Sequence, residues 1–386
     1  MCGAERYSDV RRQLSVAGRH GGSLLTMERD RRIDTIRGLL VAIMIIDHVG
    51  GYLKLATEQT LGYVSAAEGF VFLSGFVCAR AYGRYLDNTR QLLTKTFRRS
   101  FLIYRYHIAV ALLLPLLALL IPPYQRSWME LLHPYDVAPL KTVLLDLVLL
   151  HQGDYLDILP LYAWLLLLCP ALLLLVRRVG AVSVLAVSFG FWVAGQFVDP
   201  MQLIASSFGA QYGTGFFNLI SWQFLFTLGL CLGTSGQWLD RLCANKMVLA
   251  TVAVCCLVFF AFRHSDLAVN HSLLVDRSKL PIHRLLNFCF LMVLLRQMLQ
   301  NVPRDFFVPY VEYIGRHSLQ IFSLHVLVIY LFRPVAWRVD AMFDEAGLTA
   351  LSLVIFALST LPVYVYNRYR QSSFLLFRQG LDSGLR

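Results

Sequence analysis

The chain has 386 residues, is 57% hydrophobic and only 15% charged, and has a mean hydropathy of +0.58. A water-soluble domain carries roughly 25% charged residues, so there is too little polar surface to cover a soluble globule, and the same composition excludes a disordered chain. The net charge of +11 comes from 35 basic and 24 acidic residues; the basic residues flank apolar runs, which reads as membrane topology rather than nucleic-acid binding.

Residues 1–32 are polar and Arg-rich and lack the apolar core of a cleavable signal peptide. Met27, just before the first apolar run, is a second candidate start. About ten apolar runs then follow, each near the ~20 residues that cross a bilayer. They lie at 33–53, 63–84, 101–121, 156–176, 181–198, 216–236, 247–263, 284–301, 312–332 and 347–367. An eleventh stretch, 138–151, is short and carries Lys141 and Asp146, so it reads as a re-entrant or interfacial helix. The expected fold is an all-α polytopic membrane helix bundle. A basic cytoplasmic segment (1–32) precedes one membrane domain (33–368), and a basic cytoplasmic tail (369–386) follows it. With the N-terminus inside, the alternate loops carry 22 Lys and Arg on the cytoplasmic side against 9 outside. That bias favours ten spans with both termini cytoplasmic.

The first run carries the strongest signal. It reads Ile33-Asp34-Thr35-Ile36-Arg37-Gly38 through Asp47-His48-Val49-Gly50-Gly51. A charge near a helix centre costs roughly 2.5–3.5 kcal/mol on insertion, which a plain anchor helix would not carry. Arg37 and His48 are eleven positions apart, which at ~100° per residue returns to nearly the same face, roughly 16 Å further along it. Asp34, one turn below Arg37, is placed to pair with it. One face thus presents a cation near the cytoplasmic surface and an imidazole in the outer half of the bilayer. Arg37 suits an anionic group, and His48 suits general-base work near neutral pH. The bland alternative is a snorkelling Arg and a hydrogen-bonded bundle histidine. Asp47, ~100° around from His48, either orients a neighbour or is structural. In the second run Glu68 lies at a depth matching His48 and is a candidate to orient it; a capping carboxylate is the plainer reading. Ser74-Gly75 reads as a close-packing site.

Arg98 and Arg105 open the third run, seven apart on nearly one face. With Arg37, and Arg84 at the same mouth, they are candidates for an anion site suited to nucleotide phosphates; an ordinary positive-inside flank is the alternative. The outer segment His151-Gln152-Gly153-Asp154-Tyr155-Leu156-Asp157 has acids and aromatics that suit sugar hydroxyls, led by Asp157 and Asp154. Trp222 and Gln223 fall in the outer half of a run and His325 lies deep in another; these are candidate substrate contacts, with a belt Trp and a satisfied core histidine as alternatives.

The 8 Cys are scattered, with no CxxC and no zinc spacing, so no metal site is expected. Nor is there a P-loop, HExxH, GxSxG or dinucleotide fingerprint. Intramembrane charges also mark transporters and flippases, for instance for a lipid-linked glycan, but no repeat-related halves are visible. A scaffold subunit would leave the Arg37–His48 column unexplained.

The ladder Ile33-Asp34-x-x-Arg37-Gly38 … Asp47-His48, then Ala67-Glu68-x-Phe-Val-Phe-Leu-Ser74-Gly75 and Tyr82-Gly83-Arg84, resembles the OpgC family. Further matches are Leu156-Asp157-Ile158-Leu159-Pro160-Leu161-Tyr162, Trp222-Gln223-x-Leu-Phe and Gly315-Arg316-His317-Ser318-Leu319. The resemblance covers nearly the whole chain after about residue 30. OpgC proteins are similar to acyltransferase-3 membrane enzymes, whose first span carries an Arg and a His separated by ten residues. The resemblance implies a multi-pass protein of the bacterial inner membrane; membrane lipid is an expected partner, and a homo-oligomer is an open alternative to a monomer. It also implies transfer of an acyl group from cytoplasmic acyl-CoA to a periplasmic or envelope glycan, with succinylation as the name-giving activity. Arg37 would then handle acyl-CoA and His48 would abstract a proton. A succinyl group would want a further cation near His48; none stands out in the outer half of the first two runs, so succinyl-CoA and acetyl-CoA both remain open as donors.

Overall fold

The computed structural model describes residues 30–234, 240, 243–265, 277–303 and 305–383. Most of the basic segment 1–32, Met27, Arg241, Arg304 and the last three residues lie outside these, as do the side chains of 370–383. The described residues are helical and contain no strand. In chain order the helices are α1 (Arg31–Asp47), α2 (Tyr52–Thr57), α3 (Ala66–Tyr82), α4 (Thr89–Leu120), α5 (Pro122–Ser127), α6 (Met129–Val137), α7 (Pro139–Leu147), α8 (Ile158–Val179), α9 (Ala181–Phe197), α10 (Pro200–Ser207), α11 (Leu219–Thr234), α12 (Lys246–Arg263), α13 (Ile282–Gln300), α14 (Pro309–Arg316) and α15 (Ser318–Ser383). The last is two helices joined at a break at Asp344, whose φ is 49°.

Helices therefore occupy the expected runs. Five of them, α4, α8, α12, α13 and α15, are long and apolar enough to cross a membrane, and α9 with α10 makes a sixth candidate bent by 41°. Wide bands of Leu, Val and Phe on these helices are exposed, among them Leu119, Val182, Phe197 and Leu257. In a protein with no polar shell such bands are lipid-facing surface.

Two boundaries differ from expectation in ways that shape the site. The run at 33–53 does not continue as one helix. Gly50 and Gly51 adopt φ of 118° and 86°, which glycine alone takes at little cost, so α1 stops at Asp47 and the chain turns into α2. Thr349 leaves no room for a Cβ on Gly51. The stretch 138–151 is one of three short helices, α5 to α7, with loop residues after 147, and not a single element. Pro122 and Pro139 each start a helix where a missing N–H costs nothing.

Two helix pairs approach to backbone contact. A Cβ on Gly38 of α1 would stand 1.8 Å from the Val311 carbonyl oxygen of α14, and one on Gly315 of α14 would stand 1.8 Å from that of Asp34. Gly75 of α3 and Gly229 of α11 meet the Phe226 and Phe72 carbonyls in the same way, each at 2.0 Å. Small residues are what allow such packing where no hydrophobic force separates helix from lipid.

Overpacking a well-packed contact costs about 1–3 kcal/mol, more when backbone must move. Gly38→Ala is therefore expected to lower the melting temperature of the detergent-solubilised protein by several degrees. Gly190→Ala, in α9 with nothing within 4 Å of the added Cβ, should leave it unchanged or raise it. Equal melting temperatures for both variants would contradict the packing.

Candidate functional site

The truncated α1 delivers His48 to its C-terminal cap. There it enters the wall of a cavity of about 620 Å³, with Asp47, Lys54, Asp154, Tyr155, Asp157, Trp222 and Arg277 also on the walls. That volume falls within the range of small-molecule sites.

His48 is held by an unexpected partner. Its Nδ1 lies 3.0 Å from Nε2 of His325, and Nδ1 of His325 meets the Phe322 carbonyl oxygen. A carbonyl only accepts, so in the neutral rings His325 carries its proton on Nδ1 and presents the Nε2 lone pair. His48 must then donate from Nδ1, which leaves the lone pair of its Nε2 available at the cavity. The two rings are nearly parallel, 5.3 Å apart between centroids. Tyr155 covers His48 from the other side at 4.6 Å. Its φ of 63° is in the left-handed region that costs a bulky residue about 1–3 kcal/mol, a strain borne where the ring meets His48. His325 itself is fully buried behind His48 and is not on the cavity wall. The expectation that it touches substrate is corrected: it touches His48.

Glu68 is also corrected. Depth matched it to His48, but depth does not fix azimuth, and α3 turns it toward α13. One carboxylate oxygen accepts from Nε of Arg284 at 2.9 Å and also from its Nη2, and the other accepts from the Ser65 N–H at 2.9 Å and from its hydroxyl. Glu68 thus caps α3 and forms a fully buried ion pair. Asp47 lines the cavity and accepts from the Thr57 hydroxyl at 2.5 Å.

Lys54 and Arg277 had not stood out as site residues. The Gly50-Gly51 turn folds Lys54 back beside His48, and Glu58 bridges Lys54 at 3.5 Å and Arg277. The signals in the sequence were the two glycines and the i,i+4 spacing of Lys54 and Glu58. Arg277 is fixed by the loop that follows it. The carbonyls of Ser278, Lys279 and Leu280 accept from the Trp222 indole at 2.9 Å, from Gln196 at 2.8 Å and from the Trp192 indole at 2.9 Å. The cavity therefore has two cations with donors beyond those Glu58 uses.

Of the outer-mouth candidates, Asp154, Asp157 and Trp222 line the cavity. Asp157, just ahead of α8, accepts from the Phe216 N–H at 3.1 Å. Gln223 is turned away: its amide binds Ser188 of α9 through the hydroxyl at 2.7 Å and the carbonyl at 2.8 Å.

At the other end of α1, Arg37 does not pair with Asp34, which faces Arg316 at 4.0 Å. Arg37 donates from Nη2 to the Ser318 hydroxyl at 3.1 Å, stands 5.7 Å over the Phe70 ring, and keeps a buried Nε without a partner. Arg98, Arg105 and Arg84 are exposed. Within that run it is Arg99, half-buried, whose charge bears on Tyr82 and, with that of Arg37, on Tyr162. One residue is a 100° turn, enough to separate the inward arginine from its neighbours.

A family model described as OpgC protein matches residues 29–371. The chain belongs to the OpgC family. No curated protein and no solved structure matches it. The OpgC match spans every residue of the site just described, from Arg37 through His48 to His325.

The Glu68–Arg284 pair is expected to behave as buried pairs do. Removing one partner strands a buried charge at about 3–5 kcal/mol, while replacing both with apolar residues of similar volume is far cheaper. Arg284→Met should thus lower the melting temperature strongly. Glu68→Leu combined with Arg284→Met should restore much of the loss, and a double variant as unstable as the worse single one would refute the pairing.

Proposed function

We propose that this OpgC protein is an acyl-CoA-dependent O-acyltransferase of the bacterial inner membrane, acting on hydroxyls of a periplasmic or envelope glycan. The observation that carries this reading is the His48–His325–Phe322 relay opening onto a polar cavity. With both rings neutral it presents the lone pair of His48 Nε2 to the cavity. In this reading about ten segments cross the membrane, both termini are cytoplasmic, and the His48 cavity faces the periplasm.

The chemistry follows from that lone pair. Nε2 of His48 takes the proton of an acceptor hydroxyl as the oxygen attacks the thioester carbonyl carbon. The C–S bond then breaks, and the departing thiolate takes the proton back from Nε2 of His48. The products are the glycan ester and free CoA, and His48 returns to its starting tautomer. His325 is a positioning residue, holding the ring and its tautomer without adding charge. Arg37, with an unused buried Nε, and the half-buried Arg99 hold donor phosphates at the inner mouth. The roughly 16 Å along α1 between Arg37 and His48 lets one extended donor reach both.

Lys54 and Arg277 tilt the donor toward succinyl-CoA. They supply the cations that the free carboxylate of a succinyl group requires, and those cations did not stand out in the first two runs alone. An acetyl group, which carries no carboxylate, would leave these cations without an anionic partner from the donor.

Two measurements test this in proteoliposomes, with glucan as acceptor and CoA release and glycan ester as readouts. His48→Ala should cut transfer by about 10²-fold or more in a protein that still melts normally. His325→Phe should lower kcat by roughly tenfold or more with KM little changed; full activity in either variant would remove the relay from the mechanism. Arg277→Gln should lower kcat/KM for succinyl-CoA by about tenfold while sparing acetyl-CoA, and an equal loss with both donors would remove Arg277 from donor selection.

A further inference from the structure

A second cavity of about 430 Å³ adjoins the first and has no part in the chemistry above. The two share Gln152, Gly153, Asp154 and Gly215 as common walls. The sill between them is fixed, because the Gln152 N–H donates to the Gly213 carbonyl at 2.9 Å. The second cavity is lined further by His151, Gln202, Gln211 and Tyr212.

His151 is the informative residue. It is 7% exposed, and neither ring nitrogen has a hydrogen-bond partner. Tyr212 stands edge-on to its ring at 5.5 Å and Tyr135 at 6.4 Å, so aromatic packing fixes the ring without satisfying it. Leaving a buried polar group unpaired costs about 1–3 kcal/mol. The buried side-chain oxygen of Gln152, on the sill, has no partner either. These atoms offer both donor and acceptor capacity to whatever enters.

The charge on the walls selects the ligand class. Among the described residues no Lys or Arg lines this cavity, and the two carboxylates that do, Glu130 and Asp154, lie 3.1 Å and 3.6 Å from Arg333. Two carboxylates outweigh the single Arg333 beside them, which disfavours an anion, whereas a neutral, hydroxyl-rich group finds amides, an imidazole and carboxylates.

We propose that the second cavity is a distal subsite that binds a neighbouring sugar residue of the acceptor chain, with His151 and Gln211 as its contacts. The proposal rests on the glycan-acceptor reading above. The acceptor crosses the Gln152–Asp154 sill, so one residue lies at His48 and an adjoining one at His151. The protein then selects chains over single sugars.

The test is equilibrium binding of glucose and of α- and β-linked gluco-oligosaccharides of two to six residues to the full-length solubilised protein, paired with transfer assays on the same acceptors. Wild type should bind an oligosaccharide at least tenfold more tightly than glucose. His151→Phe, which keeps the aromatic packing and removes the ring nitrogens, should erase most of that gain, and so should Gln211→Ala at a half-exposed position. Neither should change glucose transfer more than twofold. No gain with chain length in wild type, no binding of any chain, or full gain retained in both variants would overturn the subsite. The binding arm needs no donor, so absence of acyl transfer with length-dependent binding intact would refute the transferase reading and leave the subsite standing.

Discussion

The site depends on the backbone contact between α1 and α14. Gly38 and Gly315 let the two helices touch without side chains between them, and α15 starts two residues after α14 ends. That fixes α15 alongside α1, and two side-chain contacts follow: Arg37 to Ser318 at one level and His48 to His325 further along. A hydrogen bond between two imidazoles tolerates only a few tenths of an ångström. Any residue larger than glycine at the crossing would move α15 by more than that. The sequence motif Arg37-Gly38 and its counterpart Gly315-Arg316 are thus parts of one device, in which the glycines set the distance that the polar residues use.

Charge burial fixes the opposite wall. Glu68 and Arg284 are both fully buried, an arrangement whose desolvation cost is recovered only with good geometry and further hydrogen bonds. Glu68 supplies those through Ser65, at the start of α3 and on the cavity wall. Arg284 lies in the first turn of α13, past the loop from Arg277 whose three carbonyls are pinned by Trp222, Gln196 and Trp192. The ion pair therefore ties two walls of the cavity together: the Ser65–Ala67 end of α3 and the loop that carries Arg277. Of the two cations near His48, Lys54 sits on α2, which the Gly50-Gly51 turn folds back, and Arg277 sits in a loop.

This explains what could be read from the sequence. Helix positions were legible because an apolar run near the bilayer length has few alternatives, and Arg37 and His48 were legible because charge within such a run is costly. Spacing along one helix also gave their shared face. What a single chain does not encode locally is the azimuth of one helix against another. Glu68 had the right depth and the wrong direction, Arg99 faces inward where Arg98 and Arg105 do not, and Gln223 turns to Ser188. Lys54 was hidden by treating Gly50-Gly51 as helix interior, although two adjacent glycines after a histidine are a legible stop. The His325 partnership joins positions 277 residues apart, and no local pattern carries it.

The relay ends on a carbonyl, and that choice has a consequence for how the site must work. A carboxylate behind His325 would add a full negative charge to a region already holding Asp47, Asp154 and Asp157, and would stabilise a protonated pair. The Phe322 carbonyl fixes the same tautomer with a dipole only. In the proposed reaction His48 would thereby be a neutral base that holds a proton briefly, as a reaction whose leaving thiolate takes that proton back requires. Under the proposed reaction Lys54 and Arg277, which share the cavity wall with His48, would meet the negative charge brought there with positive wall rather than a second anion. The proposed reaction would thus divide its labour by charge: the neutral histidine pair moves the proton, and Lys54 of α2 with Arg277 of the loop before α13 holds what is anionic.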